Sequence, residues 1–81
     1  MREGPLGNRL RDERTRLGLT QADLARIVGV SRKTINTVEN RVFIPSAVLT
    51  LRLAQALGVR VEELFYLTGE DGPEQAKGDM P

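Results

Sequence analysis

Apolar residues recur at three- and four-residue intervals in five short runs, each bounded by residues that start or stop helices. The first run follows Gly4, Pro5 and Gly7, takes Asn8 as its N-cap, carries Leu10 and Leu17 on one face and ends at Gly18. Thr20 caps a second helix over 21–28, with Leu24, Ile27 and Val28 at helical spacing, and Gly29 stops it. Only Val30 separates that glycine from Ser31, the cap of a third helix reaching Asn40, so the second and third helices must cross steeply through a tight turn. Pro45 and Ser46 open a fourth helix, with Val48, Leu49, Leu53, Ala54 and Leu57 as its apolar set and Gly58 as its end. Val61, Leu64, Phe65 and Leu67 predict a short fifth helix over 62–67. The expected architecture is all-α, a compact five-helix domain over residues 1–67 and a disordered tail over 68–81, TGEDGPEQAKGDMP, with almost nothing apolar to bury.

Composition narrows the chemistry. A chain of 81 residues makes one small domain. It contains neither cysteine nor histidine, which removes disulfides, the usual zinc ligands, Ser-His and Cys-His nucleophile pairs and the commonest general base. An enzyme is not expected, nor a cofactor or metal. The acids Glu70, Asp71, Glu74 and Asp79 lack the spacing and central glycine of a calcium loop. No apolar secretory core or membrane-length span is present, so the expected location is the cytoplasm, with no membrane partner.

The net charge of +1 conceals an asymmetry. From Met1 to Arg41, nine Arg or Lys face five Asp or Glu, a balance of +4, whereas three bases face six acids from Val42 onward, a balance of −3. A basic half of this kind fits an anionic partner. On the third helix, 100° per residue gathers Thr34, Ile35 and Val38 on one side and places Lys33, Asn36 and Asn40 opposite, flanked by Arg32 and Thr37. Arg and Lys can donate to guanine O6 and N7, Asn can pair with adenine, and a threonine methyl can touch that of thymine. The start of the second helix, at Thr20 and Gln21, offers backbone N–H groups and a positive dipole end to a phosphate. Arg14 lies on the apolar side of the first helix, where a charge needs a partner.

The stretch TQADLARIVGVSRKTINTVEN, Thr20 to Asn40, resembles the helix-turn-helix of the phage-repressor and Cro (XRE) family through Gln21, Ala25, Gly29, Val30, Ser31, Thr34, Ile35, Glu39 and Asn40. The likeness extends to Leu17-Gly18-Leu19 before it and to Pro45-Ser46, Ala54, Leu57-Gly58-Val59 and Glu63-Leu64-Phe65 after it, covering about residues 8–67. It implies a lambda-repressor-like domain and a transcriptional regulator, a repressor or autoregulator, that binds double-stranded DNA; one such domain buries only about 600–1,000 Å² on DNA, so a homodimer on a palindrome is expected, and too few residues remain for a sensor of a small-molecule ligand. It implies base reading by Arg32, Lys33, Asn36 and Thr37, phosphate contacts from Asn40 and Arg41 besides Thr20 and Gln21, and an ion pair between Arg14 and Glu39 that braces the third helix. Antitoxins and restriction controllers of the same family, and a helix-turn-helix module that binds protein in place of DNA, are the alternatives. The family usually has glycine where this chain has Arg41, so either Asn40 takes the left-handed conformation or Arg41 extends the helix. Dimerisation needs an apolar surface, for which Phe65, Tyr66 and Leu67 are candidates, with Phe43 and Ile44 as further apolar excess.

Overall fold

The computed structural model describes residues 5–68. Five helices, α1 (Leu10–Arg16), α2 (Gln21–Val28), α3 (Arg32–Glu39), α4 (Ala47–Leu57) and α5 (Val61–Leu64), lie between two short strands, β1 (Leu6–Asn8) and β2 (Phe65–Leu67). The tail expected over 68–81 falls, beyond Thr68, outside the described residues.

Side-chain caps open the three longer helices. Thr20, Ser31 and Ser46 accept from the backbone N–H three residues on, in Asp23, Thr34 and Leu49. At α2 the bond is reciprocated, since Asp23 accepts from the Thr20 N–H at 2.9 Å. That backbone hydrogen bond, ahead of the Thr20 hydroxyl and the Arg26 charge, holds the Asp23 carboxyl below its ordinary range. Gly29 closes α2 at φ 82°, a left-handed step that lets the chain reverse into α3 within two residues.

The core is aliphatic. Leu10 of α1, Leu24 and Val28 of α2, Ile35 and Val38 of α3, Leu53 and Leu57 of α4 and Leu64 of α5 form one buried cluster, completed by Ala25, Leu49, Ala54 and Phe65. α2 packs against both α3 and α4, with Ala25 admitting the close approach. Leu17, Ile27 and Val48, placed with the inward residues by periodicity, are exposed. Leu17 caps the end of α1 rather than continuing its inner face, and Val48 lies one position outside the α4 core stripe.

The strands correct two sequence expectations. The predicted fifth helix stops at Leu64, and Phe65, Tyr66 and Leu67 pair antiparallel with Asn8, Gly7 and Leu6. Asn8 is thus a strand residue. Its Oδ1 still accepts from the Leu10 N–H at 3.0 Å, so it serves the start of α1 from one position farther out, while its Nδ2 donates to the Val38 carbonyl at 2.9 Å. Arg9 N–H donates to the Leu64 carbonyl and Thr68 N–H to that of Pro5, extending the tie between the two ends of the domain. Among the described residues no helix is long and apolar enough to cross a membrane.

Gly7 is buried because the Tyr66 ring lies across it, and the Arg9 guanidinium covers that ring, 4.7 Å from its centroid. A Cβ at position 7 would overlap the ring and push it from under Arg9. Gly7→Ala is therefore expected to cost about 1 kcal/mol, a fall of about 4–8 °C in Tm. In a Tyr66→Ala background the same change should be nearly silent in a thermal melt; an equal loss there would show that the ring is not the cause.

Candidate nucleic-acid interface

α3 divides its residues cleanly between core and solvent. Ile35 and Val38 are buried and Thr34 is half-buried, while Arg32, Lys33, Asn36 and Asn40 are exposed and Thr37 is half-buried at the edge. The Thr37 hydroxyl donates to the Lys33 and Thr34 carbonyls at 3.0 Å each, leaving its lone pairs able to accept. Asn40 donates from its side chain to the Asn36 carbonyl at 2.9 Å.

The cations are not equivalent. Arg14 and Arg11 face Glu39, Arg16 pairs with Glu13 and Arg26 with Asp23. Arg32 and Lys33, at the start of the outward stripe, enter no ion pair among the described residues. They can meet an anion without first breaking an internal bond.

The last residue of α3 fixes this helix to the rest of the domain. Glu39 accepts from Arg14 through Nε to Oε2 at 2.7 Å and through Nη2 to Oε1 at 3.3 Å, a two-pronged contact between side chains 11% and 1% exposed. Gln21 Nε2 donates to the same Oε1 at 3.1 Å, and Arg11 Nε stands 3.5 Å from it. Arg14 also donates to the Leu19 carbonyl at 2.8 Å. The one carboxylate thereby joins α1, α2 and α3. Arg11 was not among the residues singled out from sequence; its signal is its place three positions before Arg14, on the same side of α1.

Gln21 therefore spends part of its side-chain amide inside the protein. Thr20 likewise commits its N–H and a hydroxyl lone pair to Asp23. What this helix end offers an anion is chiefly backbone, because the first N–H groups of a helix lack intrahelical acceptors. Thr20 and Gln21 share a shallow cleft of about 420 Å³ with Arg32. A second cleft, about 290 Å³, gathers Asn40 and Arg41 with Arg9, Arg11 and Asp12 beside Glu39.

Neither sequence expectation for Arg41 describes it. Asn40 remains at φ −90° and the helix does not extend; Arg41 itself takes the left-handed step, at φ 63°. Its N–H donates to the Val38 carbonyl at 3.0 Å and the Val42 N–H to that of Thr37 at 2.9 Å, the two bonds of a Schellman closure with arginine in the glycine position. A side chain there costs about 1–2 kcal/mol. Of the residues considered for a dimer surface, Phe65 is buried in the core, Tyr66 is held between Gly7 and Arg9, and Leu67 is 79% exposed.

Residues 10–64 match the family model described as Helix-turn-helix, well over half of the chain. The chain belongs to the XRE-type helix-turn-helix family. An uncharacterized HTH-type transcriptional regulator of Methanothermobacter thermautotrophicus is 44% identical over 63 residues, covering 78% of this chain and 91% of that protein. Another from Methanocaldococcus jannaschii is 41% identical over 64 residues, covering 79% and 97%. Among solved structures, the restriction-modification controller protein C.AhdI from Aeromonas hydrophila superposes with a TM-score of 0.65 at 40% identity, covering 68% of this chain and 83% of that one.

Two outcomes follow for this family member. Arg14→Met strands the buried Glu39 and is expected to cost about 3 kcal/mol, lowering Tm by more than about 10 °C; adding Glu39→Met should restore much of the loss, and a merely additive double variant would refute the coupling. Arg41→Gly removes the left-handed strain and should raise stability by about 1 kcal/mol in denaturant melts, where no gain would mean that the backbone at 41 is relaxed.

Proposed function

We propose that this chain is a sequence-specific, homodimeric DNA-binding transcriptional regulator, a repressor or autoregulator acting in the cytoplasm, that lays α3 in the major groove of a palindromic operator. Membership of the helix-turn-helix family supports DNA binding and transcriptional regulation. One observation carries the reading at the level of residues: α3 is pinned by Ile35 and Val38 while Arg32, Lys33 and Asn36 point outward, with both cations held by no acid among the described residues. Arg32 and Lys33 supply donors for guanine, Asn36 supplies a donor and acceptor for adenine, and Thr37 presents its methyl at the edge of the same face.

Phosphates flank this face. The start of α2, at Thr20 and Gln21, takes one through the Gln21 N–H, which the reciprocal Thr20–Asp23 cap does not use, and Asn40 with Arg41 takes another at the opposite rim. Neither contact carries base information; both set the register of α3. A single small module buries only about 600–1,000 Å² on DNA, so a two-fold dimer on half-sites about one helical turn apart gives the affinity that one copy lacks. The function needs no cofactor and no catalysis.

The likeness to C.AhdI favours a second, narrower reading, control of a restriction-modification operon. It uses the same site, and the genes beside the coding sequence decide it.

Selection of binding sites from random duplex DNA at two salt concentrations tests the main proposal. A palindromic motif with half-sites one turn apart is expected; weak, salt-sensitive binding without a motif would favour a protein-binding role for the same fold. On the selected site, Lys33→Ala or Asn36→Ala should weaken binding by about 1–3 kcal/mol, roughly 5- to 150-fold in Kd, and relax preference at particular bases. Arg41→Ala should weaken all sequences alike and reduce the salt slope by about 1. Identical behaviour of the two classes would overturn the division between base and phosphate contacts.

A further inference from the structure

Asn8 has both ends of its side-chain amide committed, and to different elements. The Oδ1 accepts from the Leu10 N–H at 3.0 Å, at the start of α1, while the Nδ2 donates at 2.9 Å to the Val38 carbonyl, 30 positions along the chain. Together the two bonds fix which end of the amide faces α3. The backbone of Asn8 is held as well, opposite the buried Phe65 in the β1–β2 ladder. The residue is a short strut with its foot in the hairpin and its tip on the end of α3.

The Val38 carbonyl also accepts from the Arg41 N–H, at 3.0 Å. Asn8 and the closure of α3 therefore meet on one oxygen, which has a lone pair for each. Glu39 ties the side-chain end of α3 to α1 and α2; Asn8 ties its last turn of backbone to the hairpin. Arg41 takes the left-handed step at φ 63°, which a residue with a side chain keeps only where its surroundings impose it. The Val42 and Phe43 N–H groups that return to Thr37 belong to the closing segment itself, whereas the bond from Asn8 comes from another element. Asn8, Asn40 and Arg41 also line one cleft.

We infer that Asn8 is a positioning residue for DNA binding: by holding the Val38 carbonyl it keeps Arg41 in its left-handed step, and with it the rim where Asn40 and Arg41 meet a phosphate. This rests on the phosphate role proposed above for Arg41, and gives the β1–β2 hairpin a part in binding beyond joining the ends of the domain. Without the strut, Arg41 has one constraint fewer against relaxing to a right-handed conformation, which moves its side chain off the rim.

Asn8→Ser separates the two bonds of the amide. The hydroxyl can still accept from the Leu10 N–H but is too short to reach Val38, and it brings no charge to the cleft. Titrated on the selected DNA site well below the melting temperature, this variant is expected to bind about fivefold more weakly, the equilibrium factor of roughly one net hydrogen bond, with base preference unchanged. In an Arg41→Ala background the same substitution should alter Kd by less than about twofold. In the free protein, exchange of the Arg41 amide hydrogen, read by NMR, should quicken about fivefold while Leu24 and Leu53 stay protected. Where Asn8→Ser melts too early to titrate, Asn8→Thr, which keeps the hydroxyl and suits a strand better, is measured in its place with the same expectations. A loss of binding that persists undiminished in the Arg41→Ala background overturns the inference, as does a variant that melts early yet binds as tightly as wild type. If Arg41→Ala weakens binding and Asn8→Ser does not, the inference falls alone. A wild type that binds no duplex site overturns the phosphate role of Arg41 and this inference with it.

Discussion

The orientation of α3 depends on a single carboxylate. An eight-residue helix is too short to hold itself in water, and Ile35 and Val38, its two buried apolar side chains, fix its distance from the core more firmly than its rotation. Glu39 supplies the missing constraint, because the donors it accepts come from two other helices, Arg14 of α1 and Gln21 of α2. Any swing of α3 must break bonds to both. A buried ion pair is a poor source of net stability when compared with well-packed apolar groups, since both charges must leave water. Its value here is geometric: an apolar replacement could fill the space, but it would not direct the end of α3 toward one position.

The same network changes what the charge pattern means. The excess of bases in the first 41 residues looks like a uniformly basic face when counted along the chain. Folded, five of those nine bases are engaged with groups of the domain itself: Arg14 and Arg11 on Glu39, Arg26 on Asp23, Arg16 on Glu13, and Arg9 over Tyr66. Within that half, Arg32 and Lys33, where α3 begins, enter no ion pair among the described residues. The basic half is therefore a scaffold with a small charged tip, where α3 presents donors and acceptors beside one another.

Local signals made most of this fold legible. Thr20, Ser31 and Ser46 are caps whose chemistry acts within three residues, and the turn at Gly29 needs only its own backbone freedom. The Arg14–Glu39 contact could be anticipated because a charge on an apolar face needs an acid and the resemblance supplied one. The hairpin could not. Leu6–Asn8 and Phe65–Leu67 are three residues each and lie at opposite ends of the domain, so no turn announces their pairing, and Leu64, Phe65 and Leu67 fit a helical period equally well. The engagement of Gln21 with Glu39 was hidden for a related reason: the same amide suits a phosphate or a carboxylate, and only the packing of α2 on α3 decides which is in reach. Val48 shows the limit of periodicity itself, since an apolar residue near the helical period of a core stripe can still face outward.

Arg41 connects these threads. The closure at the end of α3 requires a left-handed step, which glycine takes without cost and arginine does not. Both the Val42 and Phe43 N–H groups then return to the Thr37 carbonyl, so the chain leaves the helix sharply and the apolar segment emerges beside the outward face. Strain of this sort persists where the surrounding structure over-determines it, and it gathers at functional positions. Here the strained residue sits between the outward polar face of α3 and the exposed apolar run Val42, Phe43 and Ile44. A glycine would close the helix more comfortably and carry no charge, so the sequence trades about 1 kcal/mol of stability for a cation at the end of α3.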